Sequence, residues 1–284
     1  MTRVRRAWMD RRSPLGSRDD GAVSQELDFA RSLADQAGEI MRRHFRLGVA
    51  SRSKGDGTPV TAADEAINEL VMEQVKTHFP DDAVIGEEGS SPVGSSNRVW
   101  VCDPIDGTLP FTLGVPTSLF SLALVVDGEP VMGILYDPYL DRRFEASLGQ
   151  GGTVNGVLLA VSDAPLRGAV VSLPGAQFGL TDNAALASDV IRQGGHVFSV
   201  GSITYAAALV AAGQITACVF PARSVWDIAA VKVIVEEAGG TVTDIAGNPQ
   251  RYDQPINGAL ISNGRSHAEL VDLVGRHLLA PSDR

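Results

Sequence analysis

The stretch Asp103-Pro104-Ile105-Asp106-Gly107-Thr108 sets two carboxylates on either side of a Pro-Ile pair. Pro104 restricts the backbone, so both carboxylates and the Ile105 carbonyl could converge on one point. Two further acidic segments lie well apart from it in sequence. Gly86-Glu87-Glu88-Gly89-Ser90 precedes it, and Trp226-Asp227-Ile228-Ala229-Ala230 follows, running into Glu236-Glu237-Ala238-Gly239-Gly240. Carboxylates from three segments, each beside a turn or a helix start, suit a hard divalent cation such as Mg²⁺, which takes oxygen ligands. Gly107 lets the backbone approach a ligand closely. The N–H groups of Gly107 and Thr108, at the start of a helix, suit an anion. A cation site beside an anion site points to phosphoryl transfer, where positioning and charge neutralisation do most of the catalysis.

Each motif has a plainer reading when taken alone. Asp227 could simply cap a helix, Glu87 and Glu88 could be a solvated pair, and Asp64 has a capping explanation of its own. The combination carries the argument.

The elements around these residues follow from the pattern. Leu27, Ala30, Leu33, Ala37, Ile40 and Met41 share one face of an amphipathic helix over 24–45. Lys54 to Pro59 is a Gly/Asp-rich turn. Thr61-Ala62-Ala63-Asp64 reads as an N-cap with an acid three residues on, opening a helix through Phe79. Val84-Ile85 and Val99 to Cys102 are short strands, each ending at an acidic motif. Leu119–Val126 and Val131–Tyr136 form a hairpin around Asp127-Gly128. Phe144–Ser147 and the Asn155-Gly156 turn continue the antiparallel pattern. Helices are expected over Asn183–Gln193, Ser202–Ala212 and Asp227–Ala238, the last stopping at Gly239-Gly240. Two layered halves, 23–150 and 151–284, are the natural organisation.

Composition narrows the class. With 284 residues, 44% hydrophobic and 20% charged, the chain can bury a substantial core. A net charge of −10 argues against a general nucleic-acid or acidic-membrane binder, and no apolar run is long enough for a membrane span. Cys102 and Cys218 are expected to be free buried thiols in a reducing cytoplasm. Residues 1–22 hold six of the 24 Lys and Arg but no apolar core of a secretory signal. They are expected to be a disordered extension. His44, His78, His196, His267 and His277 show no zinc-ligand spacing. Serine-hydrolase, Walker-type and dinucleotide-binding motifs are absent from the sequence.

Taken together, TPVTAAD (58–64), IGEEGS (85–90), WVCDPIDGT (100–108), SVGS (199–202) and SVWDIAA…EEAGG (224–240) resemble the inositol monophosphatase family of Mg²⁺-dependent, lithium-sensitive sugar phosphatases. The resemblance implies an α+β fold layered α-β-α-β-α, as in fructose-1,6-bisphosphatase. It also implies hydrolysis of a small phosphomonoester, a cyclitol or sugar phosphate, by a metal-activated water. Two or three Mg²⁺ ions would serve, and a homodimer is expected. Glu87, Asp103 and the Ile105 carbonyl would hold the first ion; Asp103, Asp106 and Asp227 would hold the second. A third would sit near Glu87 and Asp64 through water. Thr108, assisted by Glu87, would orient the attacking water and take up its proton. The Gly107 and Thr108 amides would hold the phosphate, with Ser202 beside the substrate. Lys54 sits where the family has a lysine that orders the metal loop.

Two departures bear on specificity. Pro110 stands where the family usually has Asn. Phe220 stands where inositol-specific members carry a glutamate for substrate hydroxyls, and phenylalanine accepts no hydrogen bond. Arg223 could read a second anionic group. The same chemistry on histidinol phosphate, fructose 1,6-bisphosphate or a nucleotide 3′-phosphate is therefore an alternative. A metal-binding regulatory subunit without turnover is the non-enzyme alternative.

Overall fold

The computed structural model describes residues 20–55, 57–91, 94–175 and 179–279. Helix α1 (Asp20–His44) is followed by the hairpin β1 (Ser51–Ser53) and β2 (Pro59–Thr61), then α2 (Ala62–His78) and β3 (Ala83–Gly86). Next come β4 (Arg98–Asp106), the short α3 (Thr108–Leu113), β5 (Leu119–Val126), β6 (Glu129–Asp137), β7 (Arg142–Ser147), β8 (Gly151–Val154) and β9 (Val157–Leu158). The remainder alternates: β10 (Val170–Ser172), α4 (Asn183–Arg192), β11 (His196–Phe198), α5 (Ile203–Ala211), β12 (Ala217–Phe220), α6 (Ala229–Glu237), β13 (Thr241–Thr243), β14 (Ala259–Ser262) and α7 (His267–Gly275).

Strands β3 to β9 lie in sequence order in a seven-stranded sheet, parallel only between β3 and β4. A five-stranded sheet has the order β11-β10-β12-β14-β13. Helices α1 and α2 cover one face of the larger sheet, α5 and α6 lie between the two sheets, and α4 and α7 cover the smaller sheet from outside. This is the expected α-β-α-β-α layering. The change of sheet falls between Leu158 and Val170, because β8 and β9 still extend the first sheet.

Alternation along the central strands decides which layer each site residue faces. On β4, Trp100 and Cys102 belong to the core under α1 and α2, while Val101 belongs to the core under α5 and α6. Asp103 follows Val101 by two residues, toward the layer whose α6 begins just after Asp227. The Asp127-Gly128 turn has both residues at positive φ, as the short hairpin requires.

Local boundaries differ in instructive ways. The first helix begins at Asp20, so Asp20, Gly21 and Ala22 are helical, and the rest of the expected extension lies outside the described residues. Strand β4 runs through Asp106 and does not stop at Cys102; an irregularity between Asp103 and Asp106 shifts its register against β5. The helix expected from Asp227 opens at Ala229 with Ile228 as its cap. Asp227 therefore sits in the preceding turn and is no N-cap.

Candidate active site

Asp103, Asp106 and Asp227 each bring a carboxylate oxygen to within 4.8 Å of the others. Asp103 and Asp106 are 1% and 6% exposed, and Asp227 is half-buried. The β4 irregularity is what turns Asp103 and Asp106 toward one point, and the turn before α6 supplies Asp227 from the other half of the chain. Burial, and then the neighbouring charges of Glu87, Asp106, Asp227 and Asp64, push the Asp103 carboxyl well above the ordinary range. Asp227 is pushed up well above it too, by burial and by Asp106 and Glu87, against a hydrogen bond with Ser224. So many carboxylates in a poorly hydrated corner repel one another, and a divalent cation is the natural relief. The donor set is oxygen alone, as a hard cation prefers.

A second acidic group adjoins the first. Lys54 Nζ, half-buried at the β1–β2 turn, lies 2.7 Å from Glu87 Oε1 and also pairs with Glu88. The charge of Glu87 also reaches Asp103 and helps to raise its carboxyl. The Glu87 carboxyl is itself raised by burial, opposed by Lys54. A lysine ammonium thus already occupies the cation's role on the outer side of the cluster.

Asp64 comes in from α2. It is fully buried and forms a capping box: Thr61 Oγ1 accepts from the Ala63 and Asp64 amides, and Asp64 Oδ2 accepts from the Thr61 amide at 2.9 Å. Its other oxygen accepts from the Thr108 hydroxyl at 3.2 Å, a hydroxyl that also lies 3.1 Å from the Ile105 carbonyl. The Thr108 hydroxyl is thus paired with Asp64.

Gly107 has φ +89°, and a Cβ there would meet Ser202 Cβ at 2.9 Å and the Thr117 carbonyl at 3.2 Å. Only glycine fits this turn into α3. Ser202 caps α5, accepting from the Tyr205 amide at 3.1 Å, while its hydroxyl donates to Asp106 Oδ2 at 2.5 Å. Thr204 adds its amide at 2.7 Å and its hydroxyl at 2.5 Å to the same oxygen. Thr204 escaped the sequence reading, although a hydroxyl residue two beyond a capping serine was the available signal. Pro110 packs against Gly201, where a Cβ would meet its Cγ at 2.7 Å. The proline thus supports the 199–202 loop by contact.

Two further residues singled out in the sequence lie on the chain that leads from β12 to Asp227. Phe220 ends β12 at 4% exposure, within the apolar core between the sheets. Arg223 is exposed on the turn leading to Asp227, its carbonyl accepting from the Ile256 amide. Cys102 and Cys218 are buried and free.

The inositol monophosphatase family profile matches residues 22–278. The chain belongs to the inositol monophosphatase family. It is 35% identical over 259 residues to a histidinol-phosphatase of Mycobacterium tuberculosis, covering 87% of this chain and 96% of that protein. It is 33% identical over 241 residues to inositol monophosphatase 1 of Solanum lycopersicum, covering 81% of this chain and 88% of that one. Among solved structures, an IMPase of Thermotoga maritima superimposes with a TM-score of 0.81 at 31% identity, covering 89% and 97% of the two chains. As a member of this family the chain is a metal-dependent phosphomonoesterase, and its Asp103–Asp106–Asp227 cluster is a place where a metal could bind. No helix among the described residues is long and apolar enough to cross a membrane.

Proposed function

We propose that this inositol monophosphatase family member hydrolyses a small cyclitol or sugar phosphomonoester at the cluster of Asp103, Asp106 and Asp227, with Mg²⁺ as cofactor. The observation that carries the reading is the convergence of those three carboxylates beside the Thr108–Asp64 pair. Asp103, Asp106, Asp227, Glu87 and the Ile105 carbonyl are the residues to hold two or three ions. Bound there, the cations supply Lewis-acid polarisation of the phosphoryl group and a lowered pKa for the attacking water.

The protein's own groups do the rest. Thr108 donates its proton toward Asp64 and Ile105, which leaves its lone pairs available to orient the attacking water. Asp64 is the buried base behind that hydroxyl, and its carboxyl, raised by burial, is suited to share the proton as it leaves the water. The Gly107 and Thr108 amides hold the phosphate oxygens at the start of α3. Lys54 keeps Glu87 and Glu88 ordered at the rim.

A second reading, histidinol phosphate, is favoured by one observation: a relative 35% identical is named a histidinol-phosphatase. Relative kcat/KM for inositol 1-phosphate, histidinol phosphate, fructose 1,6-bisphosphate and adenosine 3′,5′-bisphosphate, each with Mg²⁺, decides between them. Preference for a polyol phosphate supports the first reading. Preference for histidinol phosphate replaces it with the second, and no turnover of any ester defeats both.

A further inference from the structure

Asp106 Oδ2 receives three hydrogen bonds, from Ser202 Oγ, the Thr204 amide and Thr204 Oγ1. All three residues are buried: Asp106 is 6% exposed, Ser202 5% and Thr204 0%. A carboxylate oxygen offers about two lone-pair sites, so three donors oversubscribe Oδ2 and hold it fast against turning toward a cation, and the Thr204 hydroxyl is the one of the three that a substitution can remove while the helix cap stays. Oδ1 takes none of these three bonds and is the oxygen left over.

From this we infer that Thr204 is a positioning residue that selects the metal: it restricts Asp106 to one ligand oxygen and so favours Mg²⁺ over Ca²⁺. Mg²⁺ demands near-ideal octahedral geometry with short bonds, which a fixed single oxygen serves. Ca²⁺ takes more ligands at longer distances and commonly engages both oxygens of a carboxylate. A carboxylate locked from behind cannot rotate to offer the second. The hydroxyl of Thr204 adds to the Ser202 clamp from the first turn of α5, so the helix that lies between the sheets also sets the ligand's orientation. The inference rests on the proposed cation site at Asp103, Asp106 and Asp227.

Calorimetric titration of Mg²⁺ and of Ca²⁺ into wild type, Thr204→Val and Thr204→Ser tests it without any substrate. Valine keeps the shape and the amide bond but removes the hydroxyl. The expected result is a Mg²⁺ affinity lowered roughly tenfold in Thr204→Val, the low end for loss of a group orienting a metal ligand, with Ca²⁺ affinity held or raised. Thr204→Ser restores the wild-type ratio. Equal losses for both ions, or no change in either, overturn the inference, because a merely structural role moves both together. Should Thr204→Val fail to fold, a crystal structure of the Ca²⁺-loaded wild type decides: Asp106 engaged through Oδ1 alone agrees, and engagement through both oxygens contradicts. Wild-type protein that binds neither ion defeats the cation site itself, a distinct outcome.

Discussion

The Thr108 hydroxyl lies 3.2 Å from Asp64 Oδ1, joining the first turn of α3 to the first turn of α2. Asp64 thereby has two duties, since its other oxygen closes the capping box with Thr61. Thr61→Ala should cost about 1 kcal/mol of stability, as loss of an N-cap does. It should also lower kcat, because Asp64 loses the Thr61 hydroxyl, one of the two Thr61 donors that fix its Oδ2, and keeps only the amide. Chemical denaturation read beside steady-state kinetics checks this. A stability loss with unchanged kcat would detach the cap from the site.

The buried carboxylates make stability depend on pH and Mg²⁺ together. Asp103, Asp106 and Asp227 all have carboxyls raised by burial. A raised group contributes stability below its unfolded pKa of about 3.9 and loses that contribution as pH rises through the folded value. Metal-free protein should therefore give up stability in this term as pH rises above the unfolded carboxylate range. Mg²⁺ should restore it, by about 2.7 kcal/mol at a hundredfold excess over Kd. Thermal melts with Mg²⁺ and with chelator should show a larger Mg²⁺-induced rise in Tm at pH 7.5 than at pH 5. An equal rise at both would contradict the electrostatic account.

Lys54 holds Glu87 and Glu88 where a cation would otherwise have their full charge. Lys54→Met should therefore tighten Mg²⁺ binding several-fold while lowering the Tm of the metal-free protein. Calorimetry and melts measure the two effects. Weaker Mg²⁺ binding in the variant would mean that the lysine orders the ligands more than it competes with the ion.

Much of this arrangement could be read from the sequence because it rests on local chemistry. The Thr61 box, the Asp127-Gly128 hairpin and the Gly239-Gly240 stop each depend on a few adjacent residues. The burial of Asp103 also follows from alternation, once Val99 to Cys102 is taken as a strand. What could not be read was set by distant contacts. The Ser202–Thr204 clamp on Asp106 requires knowing that α5 begins over Gly107. The Thr108–Asp64 pair requires the packing of α3 against the start of α2. The helix start at Ala229 was misplaced because Asp227 has the residue type of a cap but is drawn into the acidic cluster.

Phe220 illustrates the same limit. Its position in the chain suggested a substrate-binding place, and it lies at 4% exposure in the apolar core. Phe220→Glu should therefore not create an inositol site. It should destabilise the protein by roughly 3 kcal/mol or more, the scale for a buried charge left without a partner. Phe220→Leu, which keeps the apolar contact, should leave kcat/KM for a polyol phosphate nearly unchanged. Denaturant midpoints and kinetics on both variants test this, and a soluble Phe220→Glu with raised activity on inositol phosphate would contradict it.

Phosphate release should depend on a divalent cation held at Asp103 together with Asp106 and Asp227. Phosphate release from the preferred ester should be measured for wild type and Asp103→Asn over a Mg²⁺ titration. The account predicts saturable activation by Mg²⁺ in wild type, abolished by chelator, and a fall of roughly a thousandfold or more in Asp103→Asn, since the change removes a ligand and with it a cation. Release that persists in chelator, or that survives in Asp103→Asn at saturating Mg²⁺, would contradict it.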